Sequence, residues 1–201
     1  MNSCRIIVFA KAPLPGRVKT RLIPALGADG AAALAREMLE RTLAAALDAG
    51  LGPVELCGDP SPDDAPWADV VLPAGIERSA QGAGDLGVRM SRAAQRALAR
   101  GERVLVVGTD CAQMSAALLR QAAGMLDGAE VVIGPVADGG YALIGLSRHD
   151  ERLFRDIAWS TPTVAATTRE RAATLGWRLA QTRTLHDIDT PEDLRHWKTR
   201  P

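Results

Sequence analysis

The chain has 201 residues, of which 24 are Lys or Arg and 24 are Asp or Glu, so its formal net charge is zero. That length suits one domain with a buried core, and the balance excludes a global attraction to nucleic acid or to an anionic membrane. No apolar run is long enough to span a bilayer, and Cys4, Cys57 and Cys111 match no zinc or disulfide spacing, which points to reduced thiols in a cytoplasmic protein.

From the amino end, CRIIVFA (4–10) reads as a buried strand, and AKAPLPGRVKTRL, Ala10 to Leu22, follows it. This loop carries Lys11, Arg17, Lys19 and Arg21, and no acid occurs before Asp29. Gly16 and the cations after it are suited to wrapping backbone amides and charged side chains round a diphosphate or triphosphate. A solvated basic loop is the plainer alternative. Its position directly behind the first strand, and the prolines that limit its entropy, favour the phosphate reading. The Walker spacing G-x-x-x-x-G-K-[ST] is absent.

Further candidate strands are PVELCG (53–58), DVVLP (69–73), RVLVVG (103–108), EVVIGPV (130–136), YALIGL (141–146) and WRLAQTRTL (177–185). Between them run helical stripes expected in the core: Ala35, Leu39, Leu43 and Leu47; Leu86, Met90, Ala94 and Ala97; Leu118, Ala122 and Met125. The alternation predicts an α/β fold with a mostly parallel central sheet flanked by helices, forming one domain over residues 1–201. In such sheets ligands gather outside the carboxyl ends of the strands, so the residues just after each strand carry the functional argument.

GAGDLG (82–87) fits G-x-G-x-x-G, but the expected strand before it ends near Pro73 with IERSAQ between, so a dinucleotide fingerprint lacks its context. Gly82 and Gly84 instead shape the approach to a helix starting at Asp85, with Gln81 and Arg89 in reach of a ligand there. VLVVGTD delivers Asp110 to a strand end, where one carboxylate beside substrate phosphates suits Mg²⁺. The alternative is a cap on the helix that begins near Ser115.

In Asp138-Gly139-Gly140-Tyr141, paired glycines make either an ordinary turn or a place where a ligand approaches the backbone while Asp138 accepts or removes a hydroxyl proton. Trp159, before Ser160 and Thr161, is either an apolar platform for an acceptor or a core tryptophan. In DIDTPEDL (187–194), Asp187 and Asp189 share one side of an extended segment while Ile188 points to the core. Thr190, Pro191 and Asp193 read as N-cap, first-turn proline and N3 acid of the last helix. Asp189 is left as the second metal ligand, with Asp187 and His186 behind it.

Together, and in this order, AKAPLPGRVKTRL, QGAGDLGVRM, VVGTDCAQM, GPVADGGYALIGL, Trp159-Ser160-Thr161 and DIDTPEDL resemble an uncharacterised bacterial branch of the GT-A, or nucleotide-diphospho-sugar transferase, superfamily. Some of its members are called arsenosugar-biosynthesis-type glycosyltransferases. The resemblance runs nearly end to end. It implies Mg²⁺ or Mn²⁺ held by Asp110 and Asp189. It implies a nucleotide side formed by Ala10, Lys11, Gly16, Arg17, Lys19, Arg21, Gln81, Gly82, Asp85 and Arg89. The acceptor side is Gly139, Gly140, Tyr141 and Trp159, and the catalytic groups are Asp110, Asp138 and Lys19. The chain departs from the pattern at Ala112, where proline is usual, and at Ala142, where a second tyrosine is common. The implied reaction is glycosyl transfer from a nucleotide-diphospho-sugar to a small-molecule acceptor. KTRL also resembles the loop of guanylyltransferases acting on phospholactate, so the alternative is nucleotidyl transfer from a nucleoside triphosphate with release of pyrophosphate. A third reading is a nucleotide-binding domain without turnover. Oligomeric state is left open.

Overall fold

The computed structural model describes residues 3–198. Strand β1 (Cys4–Lys11), buried from Cys4 to Ala10, forms the middle of the sheet because its apolar side chains are covered on both faces. It pairs in parallel with β2 (Val54–Asp59) on one side and β4 (Arg103–Gly108) on the other. With β3 (Ile76–Ala80), β5 (Val131–Pro135), β6 (Tyr141–Leu146) and β7 (Leu179–Gln181), the seven strands run in the order β3-β2-β1-β4-β6-β5-β7. Only β6 is antiparallel to its neighbours, β4 and β5, so the sheet is mostly parallel as expected.

Side-chain alternation divides the core into two layers. Ile6, Val8, Leu105 and Val107 face α1 (Ile23–Ala49) and α3 (Ala116–Met125), meeting Leu39, Leu43, Leu118 and Leu119. Ile7, Phe9, Val106 and Ile133 face α2 (Leu86–Leu98) and α4 (Val164–Thr174), meeting Met90, Ala94 and Ala165. A third, smaller cluster positions the site. Leu22, at the end of the basic loop, and Ile188, between the two late aspartates, are both fully buried against Leu34 and Met38 of α1. Burying side chains of this size stabilises by roughly 1.5–3 kcal/mol each, enough to hold together segments distant in sequence. Trp197 of α5 (Leu194–Lys198) covers the same cluster.

Four expectations are corrected. DVVLP is not a strand: Val71 is 84% exposed, and the pairing edge strand is β3, IERSA, which follows it. An apolar run is a poor guide at an edge, where one flank of the strand is solvated and its residues are polar. WRLAQTRTL narrows to the three residues of β7, with one further bridge between Val136 and Leu185. Leu47 and Leu86 lie outside the core at 37% and 43% exposure, because each stands at the end of its stripe beyond the sheet's cover. Finally, β3 ends at Ala80, so a strand does precede GAGDLG closely, and the absence of one is no argument against a dinucleotide fingerprint.

Candidate active site

The chain order reverses between β1 and β4, and a cleft of about 560 Å³ opens at their carboxyl ends. Each wall comes from a segment just past a strand. Behind β1, the loop ends in a 3-10 turn at Thr20–Leu22, and Lys19 precedes it with φ of 47°, a left-handed conformation uncommon for lysine. Behind β4, Asp110 is joined to the carboxyl-terminal segment by two links. The Ile188 amide donates to the Asp110 carbonyl at 2.8 Å, and Cys111 and Asp187 form a β-bridge. With Ile188 buried, alternation turns Asp187 and Asp189 to the cleft beside Asp110.

Lys19 lies between these acids. Its Nζ is 2.5 Å from Asp110 Oδ1 and 3.0 Å from Asp189 Oδ1, and it donates to the Ile188 carbonyl at 2.7 Å. The lysine side chain is 5% exposed, whereas those of Asp110 and Asp189 are 52% and 39% exposed. Burial alone would lower its pKa, but the two carboxylates raise it above the ordinary value. Asp187 differs from its neighbours. Burial pushes its carboxyl up to about 6, with Asp110, Asp189 and Asp138 adding to the rise and a 2.8 Å hydrogen bond from the Cys111 thiol opposing it. The Cys111 thiol is itself driven well above its usual range by burial and by Asp187, so it is an inert neighbour.

Of the residues singled out in sequence, the cleft brings together Ala10, Lys11, Arg17, Lys19, Arg21, Gln81, Asp110, Asp138, Gly140, Tyr141, Trp159 and Asp189. Lys11, Arg17 and Arg21 are exposed there, and among the described residues they have no ion-pair partner. The Gln81 amide is buried and donates to the carbonyls of Ala10 and Cys57 at 3.2 and 3.1 Å, tying the cleft floor together. Gly16, Gly82, Asp85, Arg89 and Gly139 stand outside the cleft lining. Asp85 is the N-cap of α2, accepting from the Val88 amide at 2.8 Å, and Arg89 pairs with Asp59 at 2.9 Å. Arg92 donates to the carbonyls of Gln81 and Ala83, and Arg89 to that of Gly84. The glycines of the GAGDLG loop are thereby bound to their own helix, and only Leu86 of the motif, with Gln81 before it, reaches the cleft lining.

On the opposite wall, Asp138 orients the Gly140 amide at 2.9 Å, as in an ordinary turn. Gly139 has φ of 92°, and a Cβ there would lie 2.1 Å from the Pro162 carbonyl oxygen, so the turn packs tightly on the loop carrying Trp159. Tyr141 and Trp159 meet edge to face with centroids 6.4 Å apart. Gly87 allows α2 to approach them, since a Cβ would come within 2.8 Å of the Trp159 indole. Ser115, not Asp110, caps α3, and Thr190 with Asp193 forms the capping box at the last helical segment. His186 stacks on His196 at 4.9 Å and is not part of the cleft wall. Sequence reasoning gave Leu86 and Met90 to the core; Met90 is buried there and also borders the cleft, whereas Leu86 is exposed to the cleft. Their place at the start of a helix that opens next to a ligand-facing loop was the available signal.

A family model described as an uncharacterized protein conserved in bacteria (DUF2064) matches residues 42–161, more than half of the chain. The chain is a DUF2064 protein. A provisionally named nucleotide-diphospho-sugar transferase from Desulfovibrio desulfuricans G20 is 33% identical to this DUF2064 protein. Their structures agree with a TM-score of 0.85 over 94% of this chain and 84% of that one. Two more distant structures show the fold alone. Rv0371C from Mycobacterium tuberculosis H37Rv, solved in complex with manganese, is 19% identical with a TM-score of 0.53, over 96% of this chain and 97% of that one. The 4-diphosphocytidyl-2C-methyl-D-erythritol synthase of Anaerococcus prevotii DSM 20548 is 11% identical with a TM-score of 0.62, over 97% and 96%. No curated protein matches. The DUF2064 protein therefore has the nucleotide-diphospho-sugar transferase type of fold, and the expectation of a transferase agrees with what these neighbours are called. Among the described residues, no helix is long and apolar enough to cross a membrane.

Proposed function

We propose that this DUF2064 protein is a metal-dependent transferase of activated nucleotides, acting as one unit over residues 1–201, and that it moves a glycosyl group from a nucleotide-diphospho-sugar to a small hydroxyl acceptor. The observation that carries this reading is convergence: three unpaired cations from the start of the sequence and two carboxylates from its middle and its end line one cleft. The donor set fits a hard divalent ion. Asp110 and Asp189 each place a half-exposed carboxylate oxygen within 3.0 Å of Lys19 Nζ, so the two acids stand side by side facing the cleft. That is the pattern of Mg²⁺ or Mn²⁺, which takes one or two carboxylates and fills its shell with phosphate oxygens and water. The manganese complex of Rv0371C, which shares the fold, supports the same choice. Such an ion supplies charge neutralisation for the departing nucleoside diphosphate.

The chain's own residues do the rest. Lys11, Arg17 and Arg21 hold the phosphates, and Gln81 with the Ala10 backbone marks the nucleoside end. The bond between the anomeric carbon and the phosphate oxygen breaks, its electron pair leaving with the nucleoside diphosphate, while the acceptor hydroxyl bonds to that carbon and yields its proton to Asp138. Tyr141 and Trp159 offer the acceptor an apolar face. The wall made by Leu86, Met90, Tyr141, Ala142, Trp159 and Val164 contains no cation, which favours a hydroxyl acceptor over a phosphorylated one. Three free, buried cysteines support a reducing, cytoplasmic setting.

Nucleotidyl transfer is the second reading, and the three unpaired cations, Lys11, Arg17 and Arg21, favour it because they suit a triphosphate. A thermal-shift panel of nucleotide sugars and nucleoside triphosphates, with and without Mg²⁺ or Mn²⁺, separates the two, because a ligand of the folded state raises Tm by mass action. Glycosyl transfer predicts the largest metal-dependent rise with a nucleotide sugar. A preference for triphosphates promotes the second reading. Binding indifferent to metal and to Asp110→Ala leaves a non-catalytic binder.

A further inference from the structure

We infer that Lys19 is a built-in counter-cation of the acid pair, which makes a free divalent ion a poor ligand and admits the metal only together with a nucleotide's phosphates. The inference rests on the transferase reading for the identity of the partner phosphates, and on geometry alone for the role of Lys19.

An ammonium has three N–H donors, and here three oxygens surround it: Asp110 Oδ1, Asp189 Oδ1 and the Ile188 carbonyl, at 2.5, 3.0 and 2.7 Å. None is left for a phosphate. The sequence motif gave Lys19 to the nucleotide beside Arg17 and Arg21. In the folded chain those two remain exposed and unpaired, whereas Lys19 is withdrawn behind the carboxylates. Its backbone rests at φ of 47°, where few lysines do, and its carbonyl accepts from the Leu22 amide at 2.8 Å. The hydrophobic cluster of Leu22 and Ile188 brings this lysine to acids up to 170 residues away.

The electrostatic consequence follows from counting charge. Two ionised carboxylates would present two negative charges to the cleft, and Lys19 reduces that to one. A divalent ion arriving alone meets a site already half neutralised and a buried cation within a few ångströms, a distance at which like charges repel even at a half-exposed site. A divalent ion carried on a diphosphate or triphosphate brings its own negative charge and oxygen ligands, and Lys11, Arg17 and Arg21 receive the phosphates. Metal and nucleotide are then coupled, and the coupling is reciprocal. Lys19 is a positioning residue in this scheme, acting on substrate through the acids it holds.

The test uses the full chain and the manganese ion alone, followed by electron paramagnetic resonance or calorimetry. Lys19→Met keeps the aliphatic stem and removes the charge, and Lys19→Gln keeps hydrogen bonding without the charge, so that one covers the other should it fold poorly. Both variants are expected to bind Mn²⁺ at least about fivefold more tightly than the wild type, the lower range for coupled sites. Adding a nucleoside diphosphate should then improve Mn²⁺ affinity less in the variants than in the wild type. Unchanged or weaker Mn²⁺ binding in both variants overturns the inference, as does an absence of Mn²⁺ binding in all three proteins. Tighter Mn²⁺ binding in the variants, combined with no nucleotide binding in any of them, keeps the role of Lys19 and removes the transferase reading. Nucleotide-coupled Mn²⁺ binding in a wild type whose variants gain nothing does the reverse.

Discussion

Two cations sit among carboxylates at opposite ends of the sheet, and they differ in what lies in front of them. At the amino end Arg5 reaches Glu102 at 2.6 Å, Glu77 at 2.8 Å and Glu55 at 3.3 Å. Glu55 is only 6% exposed, and Ser79 and Arg96 also bond to it. At the carboxyl end Lys19 is equally buried, yet Asp110 and Asp189 are about half open to the cleft. The guanidinium cluster covers Glu55 and Glu102 and opens only Glu77 to solvent away from the cleft, whereas the ammonium cluster turns both of its acids to the cleft. A buried ion pair by itself indicates little about function; the free face of its anions, turned to a cavity, is what marks a site.

The sharpest way to break this contrast is to remove each cation. Arg5→Met takes the buried cation from Glu102 and Glu55 while Arg96 still reaches Glu55, so the expected loss in urea unfolding is about 3 kcal/mol, the lower end for a broken buried pair. Lys19→Met leaves acids that water can reach, and the expected loss is below about 1 kcal/mol. Equal losses would mean that the two clusters are the same kind of object. Next in size is the loss of function at the open end. Asp110→Asn should lower transfer by on the order of a hundredfold, about 3 kcal/mol in the barrier, with the urea midpoint nearly unmoved. A hundredfold loss accompanied by unfolding would place Asp110 with the Arg5 type.

What the sequence disclosed follows the same division. β1 and β4 were legible because strands covered on both sides read as unbroken apolar runs, and the residues behind them, Lys11 and Asp110, fell into the cleft. The pairing of Asp187 with Asp189 was legible from alternation round the buried Ile188. β3 was hidden, because the side chains of IERSA serve an edge and one of them, Glu77, answers Arg5 rather than a core. The contact of Lys19 with Asp189 was also hidden. No local rule connects positions 170 residues apart, and the motif that suggests phosphate binding is satisfied just as well by a lysine turned inward. The GAGDLG glycines match a nucleotide motif for a related reason: Gly87 makes room for Trp159, a packing need that resembles such a motif in one dimension.

A smaller effect separates structure from binding at Asp85. As the N-cap of α2 it accepts from the Val88 amide, so Asp85→Ala should cost about 1 kcal/mol of stability. Its position outside the cleft lining predicts an unchanged nucleotide affinity in calorimetry. A weakened affinity with full stability would return Asp85 to the nucleotide side and enlarge the site toward α2.

The smallest expected effect is a pH dependence that belongs to the closed cluster. Hydrogen bonding and charge from Arg5 hold the Glu77 carboxyl below its ordinary value of 4.5. The folded state therefore binds its proton less readily than the unfolded chain does. The pairing contributes in full above the unfolded value and is lost as pH falls through the lower folded one. Because Glu77 is 50% exposed, solvent screens the pair and the contribution stays below about 1 kcal/mol. Urea midpoints of the wild type measured from about pH 6 to about pH 3 should fall slightly faster than those of Glu77→Gln. Identical slopes would show that Glu102 and Glu55 alone satisfy Arg5, leaving the closed cluster as a buried triad with Glu77 as a bystander.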